Sequence, residues 1–278
     1  TVSFPTFFRL ARAAREADLM IGCSTNGYFT PASLASLIPF LDAAAVGIKG
    51  NADPAYRKCG ARSAEPVFRN IATLIDQGVH VEVTVVHEHG AEEDLLTTCR
   101  KIADFSNEIP IQVMRFIPFG PADISLEPGI RASEQLCDRI REHSRYVYLF
   151  NSPGSSYLHT TCPRCGAVVV RRELHGPMGA HVFDQQRNWV CSCGYHIPFT
   201  GTCAHTAYQE DGMMGGYRPT RALEVIKAIT TCLGISDQQT SGWGDPFKKR
   251  NCSWLAPIIA ARPNTAAAGS RWRSRRAS

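Results

Sequence analysis

The sequence predicts an α/β protein of parallel strands and helices in alternation, with a small cysteine ribbon and an irregular C-terminal tail. Three observations predict it. Between residue 1 and about 152, five apolar runs of strand length alternate with stretches whose apolar residues recur at helical spacing. Two close cysteine pairs, Cys162/Cys165 and Cys191/Cys193, follow between 156 and 200. From Ile235 onward no period holds, and Gly, Pro, Ala and Arg mix without order. The division that results is 1–155, 156–200 and 201–278.

Taken in order, "TFFRLARAAREA" (6–17) reads as an amphipathic helix and "LMIGCS" (19–24) as a short buried strand. "TPASLASLIPFLD" (30–42) is a helix with Thr30 as N-cap and Pro31 in its first position. "AAAVGIKG" (43–50) is a strand. "SAEPVFRNIATLIDQG" (63–78) is a helix stopped by Gly78, and "VHVEVTVVHE" (79–88) is the clearest strand of all. A helix with acids in its first turn (91–107), a strand (109–119), a helix (133–144) and a strand (145–152) complete the series. "GMMGGYRPTRALEVIKAITTCLG" (212–234) reads as a Gly-rich loop leading into a further helix.

Strands alternating with helices through short loops make parallel βαβ units, and near-continuous apolar strands imply burial on both faces. In such sheets and barrels the working residues gather at the C-terminal ends of strands. Here those ends carry Ser24, Thr25 and Asn26, then Lys49, the segment Thr84 to His89, Arg115 with Phe116, and Asn151. Lys49 and Arg115 also suit plain solvated rim charges. His87 and His89 form an H-x-H pair, but with no third ligand in sight they read as polar loop residues.

The bulk numbers fit a soluble globular chain: 278 residues, 44% hydrophobic, 20% charged, formal charge +5. Part of that charge sits in "RWRSRRAS" at the end. No run approaches the roughly 18 apolar residues of a membrane helix, and no signal peptide is visible. The chain opens on Thr rather than Met, which suits a processed product or a fragment. Eleven cysteines, seven of them scattered singly, do not make a secreted disulfide scaffold, so a reducing cytoplasm is the expected location.

Cys162-Pro-Arg-Cys165-Gly166 places two thiolates on one tight turn, with a glycine that lets backbone amides approach sulfur. Cys191-Ser192-Cys193-Gly194 supplies a second pair, one residue tighter than the usual knuckle, so His196, His175 or His181 is a candidate to replace one thiolate. The expectation is a structural metal, zinc before iron, because four ligands leave no open position for a substrate.

Residues 19 to 90 resemble the radical S-adenosylmethionine superfamily, in particular the AmmeMemoRadiSam type and proteins like pyruvate-formate-lyase-activating enzyme. The stretches that carry the resemblance are "STNGYFTPASLASLIPFLDAAAVGIKG", "DPAYRKCGARSAEPVFRNIATLIDQGVHVEVT", and more loosely "QVMRFIPFG" and "RYVYLFNSPG". A cysteine ribbon often follows in that family, as "YLHTTCPRCG" and "CSCGYHIP" do here. The resemblance implies a partial (β/α) radical-SAM-type barrel, a [4Fe–4S] cluster, and S-adenosylmethionine cleaved to a radical that takes hydrogen from a small-molecule or protein substrate. It implies Ser24, Thr25, Asn26, Lys49, Thr84 and Arg115 as the cofactor-binding residues, and flavodoxin or ferredoxin as electron donor. The family's C-x-x-x-C-x-x-C loop and its Gly-Gly-Glu-type segment occur nowhere in the 278 residues. Gly47 stands where an acidic residue often sits, and Ile117-Pro118 where a His is common. The first two βα units are therefore expected to be missing. The chain is then a fragment inactive by itself or a diverged relative without the cluster.

Two other readings stand beside this one. A non-catalytic zinc-ribbon module would use Arg171, Arg172 and Arg271, Arg273, Arg275 and Arg276 on phosphates, but the ribbon lacks the basic and aromatic density of a nucleic-acid face. An aldolase-like barrel would use Lys49 as a Schiff-base amine, yet eight βα units need more strands than these. "MMGGYRPTRALE" lacks the Lys-Ser/Thr of a phosphate loop, and Cys203 and His205 are weak additions to the ribbon.

Overall fold

The computed structural model describes residues 4–174, 180–185, 189–199 and 259–261. The expected helix at 212–234, the tail, His175, Cys203, His205 and the terminal arginines lie outside the described residues. Within them, the chain runs α1 (Phe4–Glu16), β1 (Leu19–Thr25), α2 (Pro31–Leu37), β2 (Ala43–Gly47), α3 (Asp53–Lys58), α4 (Glu65–Asp76), β3 (His80–His87), α5 (Glu92–Ala103), β4 (Ile111–Arg115), α6 (Ile130–Arg141) and β5 (Val147–Phe150). The ribbon follows as β6 (Thr160–Thr161), β7 (Val168–Leu174) and β8 (Ala180–Gln185), and β9 is Ile259–Ala261.

The five strands β1 to β5 are all parallel and lie in sequence order, β5-β4-β3-β2-β1, with β9 antiparallel on the outer side of β1. This is a partial β/α fold, and among the described residues the sheet does not close into a barrel. Parallel strands joined by right-handed crossovers, with no reversal of order, put all their helices on one side. Burial follows that rule. Ile21, Cys23, Val46, Val83, Val113 and Leu149 point under the helices and are at most 5% exposed. Leu34, Val67, Ile71, Leu96, Ile102 and Ile140 cover them from the helical side.

Strands buried on both faces are the expectation; among the described residues the helices cover one face. The alternation of His80, Glu82 and Thr84 with buried valines along β3 already carries that signal. Other boundaries shift for local reasons. The helix expected over 30–42 ends at Leu37 and tightens into a 3₁₀ turn over Ile38–Phe40, because Pro39 has no N–H to continue it. The strand expected to reach 119 ends at Arg115, three residues before Pro118. The sequence reading passed over α3, since six residues are too few to display a helical period.

Residues Thr25 to Phe29 form a tightly tied turn. The Gly27 N–H donates to Thr25 Oγ1 at 3.1 Å and the Tyr28 N–H to Asn26 Oδ1 at 3.0 Å. Asn70, 1% exposed on α4, donates to the carbonyls of Gly27 and Phe29 at 2.9 and 2.8 Å. Gly27 has φ +70°, and a Cβ there would stand 2.9 Å from Val46 Cγ1. The glycine is thus required twice, by backbone conformation and by close packing.

Two substitutions test this turn. Gly27→Ala is expected to cost at least ~1–2 kcal/mol from the left-handed conformation alone. Asn70→Ala leaves two buried carbonyls without their donor and is expected to cost about 2 kcal/mol. Urea denaturation midpoints check both; an unchanged midpoint in either contradicts the assignment.

Candidate functional site

Because the helices occupy one side, the other side of the sheet presents its own residues directly. Strand register places them in rows: Gly22–Ala43–His80, then Ser24–Ala45–Glu82, then Gly47–Thr84–Gln112–Tyr148, then Val86–Met114–Phe150. The β1–β2 half is lined by glycine, alanine and Ser24. The β3–β4 half is polar and hydrogen-bonded: His80 Nε2 lies 3.2 Å from Glu82 Oε1, Gln112 Nε2 donates to Glu82 Oε2, and Thr84 Oγ1 donates to Gln112 Oε1 at 3.3 Å. Glu82 remains 35% exposed.

The six residues assigned by resemblance divide between the two sides. Ser24, Asn26, Lys49 and Thr84 are on the helix-free side, with Ser24, Asn26 and Lys49 exposed. Asn26 and Lys49 line one depression of about 290 Å³ together with Tyr28, Tyr56 and Cys59. Thr25 and Arg115 point to the helical side. Thr25 caps the turn described above. Arg115 donates to Asn151 O at 2.8 Å and to Pro128 O at 3.2 Å, and pairs with Glu127 at 2.6 Å. Asn151 answers with a bond from Nδ2 to Arg115 O at 3.1 Å, so the ends of β4 and β5 are locked together.

His87 is fully buried, not a loop residue as expected. Its Nδ1 is 2.9 Å from Ser133 Oγ and its Nε2 is 3.4 Å from Glu92 Oε1, while His89 is 70% exposed. Burial lowers the His87 pKa from 6.5, against the opposing pull of Glu92. Sequence reasoning missed Glu82 and Gln112 because each is a single polar residue in a strand, and only the period-two alternation marks them as a face.

The ribbon is built around Cys162, Cys165, Cys191 and Cys193, whose sulfurs all lie within 4.8 Å of one another. The pair separations are 3.6 Å for Cys162–Cys193 and 3.5 Å for Cys165–Cys191. Tetrahedral zinc with sulfur at ~2.3 Å sets its ligands ~3.8 Å apart, so the four thiols fit a single metal without the disulfide distance. The shortened second pair is accommodated by a shortened turn. In the first knuckle Gly166 N–H bonds Cys162 O and Cys162 N–H bonds Ala167 O. In the second, Gly194 N–H bonds Cys191 O and Cys191 N–H bonds Tyr195 O, each loop closing one residue sooner. Among the described residues no His joins the set, and His196 is exposed. The Cys193 N–H, ahead of the neighbouring thiols, draws Cys191 down to about 6. By contrast, burial lifts Cys23 to about 11 and Cys99 and Cys137 to about 12, which keeps those three thiols inert.

The ribbon is joined to the sheet through β5. Tyr146 packs with Cys162, Val169 and Cys191 in the ribbon's own core. Tyr148, on the helix-free face, meets Thr160 Oγ1 at 3.1 Å, and Arg172 donates to the same hydroxyl at 2.7 Å. Arg172 also lies over the Tyr148 ring at 5.3 Å. Among the described residues no helix is long and apolar enough to cross a membrane.

No family model matches the chain. An uncharacterized protein of Methanocaldococcus jannaschii is 33% identical over 181 residues, which cover 63% of this chain and 53% of that protein. The chain thus spans about half the length of this relative. A crystallised domain of pyruvate-formate lyase-activating enzyme from Bacteroides vulgatus overlays with a TM-score of 0.43 at 8% identity, covering 51% of this chain and 88% of that one. A likeness of that size establishes neither common fold nor common chemistry. The fold and the site define an α/β protein with one sheet face that the described helices leave open and a four-thiol ribbon able to hold a metal.

Two measurements follow. Elemental analysis of the purified protein is expected to give one zinc or iron per chain, lost in Cys162→Ser and Cys191→Ser; full retention in both contradicts the site. For His87, the unfolded chain takes up a proton near pH 6.5 that the folded state refuses until lower pH. Stability therefore falls as pH drops below about 6.5 and levels off below the folded value. Thermal midpoints from pH 7 to 5 are expected to decline less in His87→Gln than in the wild type.

Proposed function

We propose that this chain is the S-adenosylmethionine-binding and substrate-facing part of a radical S-adenosylmethionine enzyme, whose iron–sulfur ligands belong to a longer protein. The observation that supports the reading best is the placement of Ser24, Asn26, Lys49 and Thr84. Ser24, Asn26 and Lys49 stand at the ends of β1 and β2 and Thr84 within β3, all on the side of the sheet that none of the described helices covers. That is where parallel β/α folds hold their ligands.

Lys49 offers a cation for the methionine carboxylate, and the Ser24 and Thr84 hydroxyls and the Asn26 amide offer hydrogen bonds to the rest of the molecule. The helix-free face would exclude water from a bound ligand once it is covered. When bound, S-adenosylmethionine with a reduced cluster supplies a carbon radical for hydrogen abstraction. A [4Fe–4S] cluster does not fit this chain: no C-x-x-x-C-x-x-C spacing exists in it. The four close-set thiols face one another in the ribbon, on the β5 side of the sheet. No step is therefore assigned to the cluster here. The ribbon's metal, held by four protein ligands, is structural in this reading.

The test uses the full-length natural protein, purified and reconstituted without oxygen. Broad absorbance near ~400 nm from an iron–sulfur cluster is expected. Reduction with dithionite should then convert S-adenosylmethionine to 5′-deoxyadenosine, at a rate at least tenfold lower in Lys49→Ala. Absence of a cluster or of 5′-deoxyadenosine in the wild type overturns the reading. The second reading, a non-catalytic binding module, draws on the four-thiol ribbon and its exposed Arg164 and Arg171. Strongly salt-dependent binding to an oligonucleotide, with no cluster formed, would favour it.

A further inference from the structure

The helix-free face carries a second feature, centred one row deeper along the strands than Thr84 and built on Glu82, His80 and Gln112, to which no role is given above. Glu82 sits at its centre, with both carboxylate oxygens held in place. His80 fixes one and the Gln112 amide fixes the other. Gln112 is itself oriented by the Thr84 hydroxyl, so the amide nitrogen faces Glu82 and the amide oxygen faces Thr84. Each carboxylate oxygen has accepting capacity beyond one bond, and Glu82 keeps 35% of its side-chain surface open.

The ground beside it carries only small residues. In the rows that run through or next to Glu82, β1 and β2 contribute Gly22, Ser24, Ala43, Ala45 and Gly47. Among the described residues, a Cβ on Gly47 would meet only Thr25 O, at 3.8 Å, an ordinary contact. Glycine inside a strand often marks a close approach by a ligand. The result is a flat floor about two strands, or ~10 Å, wide. On its β3 side stands a wall that offers a fixed negative charge.

The geometry points to a ligand subsite on this floor for a planar amine-bearing small molecule of the amidine or amino-heterocycle class. Its ring lies on the Gly/Ala floor and its cationic or N–H edge donates to Glu82. Charge complementarity selects that occupant over an anion. The lone carboxylate of the central rows repels anions, and a charge-assisted bond to a pre-oriented carboxylate is stronger than a neutral one. His80 and Gln112 act as positioning residues for Glu82. This subsite borders Ser24 and Thr84 of the S-adenosylmethionine reading but rests on Glu82, and a different ligand tests it.

Benzamidine is the probe, titrated into the ¹⁵N-labelled full chain, with benzamide and benzoate as its neutral and anionic counterparts. Benzamidine is expected to shift the amides of Ala45, Glu82 and Thr84. Benzamide should bind at least tenfold more weakly and benzoate not at all. Glu82→Gln, which keeps the shape and removes the charge, should weaken benzamidine at least tenfold. Gly47→Val, which fills the floor where nothing obstructs it, should abolish binding with the fold intact by its amide spectrum. Shifts centred elsewhere, equal binding of benzamide, or an unaffected Glu82→Gln overturn the proposal. Since the three ligands are compared on the wild type, failure of a variant to fold leaves the test decisive. If benzamidine behaves as stated while no 5′-deoxyadenosine forms, the subsite holds and the enzymatic reading falls; the converse result separates them the other way.

Discussion

Four parallel crossovers in a row, with no reversal of strand order, are the constraint on which the rest of this structure depends. They send every crossover helix to one side. That side becomes the core, where valines, isoleucines and leucines from strands and helices meet at nearly complete burial. The other side meets none of the described helices, so its residues must tolerate water or a covering element. A fold that reverses its order would instead be covered on both sides and would place a ligand at the reversal point. Here the described helices leave a whole face open instead.

The polar residues on that face show how the molecule meets the constraint. A bare apolar face of this extent would invite association. Instead, Glu82, His80, Gln112 and Thr84 satisfy one another in a chain across β3 and β4. At the β5 side, the ribbon takes over. Tyr146 and Tyr148 leave the sheet as part of the ribbon's packing and hydrogen bonding, so a metal that orders the four thiols also steadies this border of the face. At the β1 side β9 lies antiparallel against the edge and uses backbone groups that an open edge would leave unpaired.

Much of this was legible in the sequence. The five strands, the order of helices and strands, and the two cysteine knuckles follow from periodicity and spacing. The tight second knuckle, which raised the possibility of a histidine ligand, closes by shortening its turn, a detail of backbone bonding that spacing alone does not display. Asn70 illustrates a second limit: its two bonds to the Gly27 and Phe29 carbonyls span more than forty positions, beyond any local pattern. The Ser24-to-Gly27 stretch read as a site, and it divides. Thr25 and Gly27 serve the turn, whereas Ser24 and Asn26 face the open side. Arg115 likewise belongs to the helical side, because a strand end has two faces and sequence position alone does not choose between them.

The central claim is that the uncovered sheet face binds ligand. A crystal structure of the protein with S-adenosylmethionine tests it most directly. The account predicts ligand density on the helix-free side, in contact with Lys49 and Thr84. Density confined to the helical side or the ribbon, or none at saturating concentration, would contradict it.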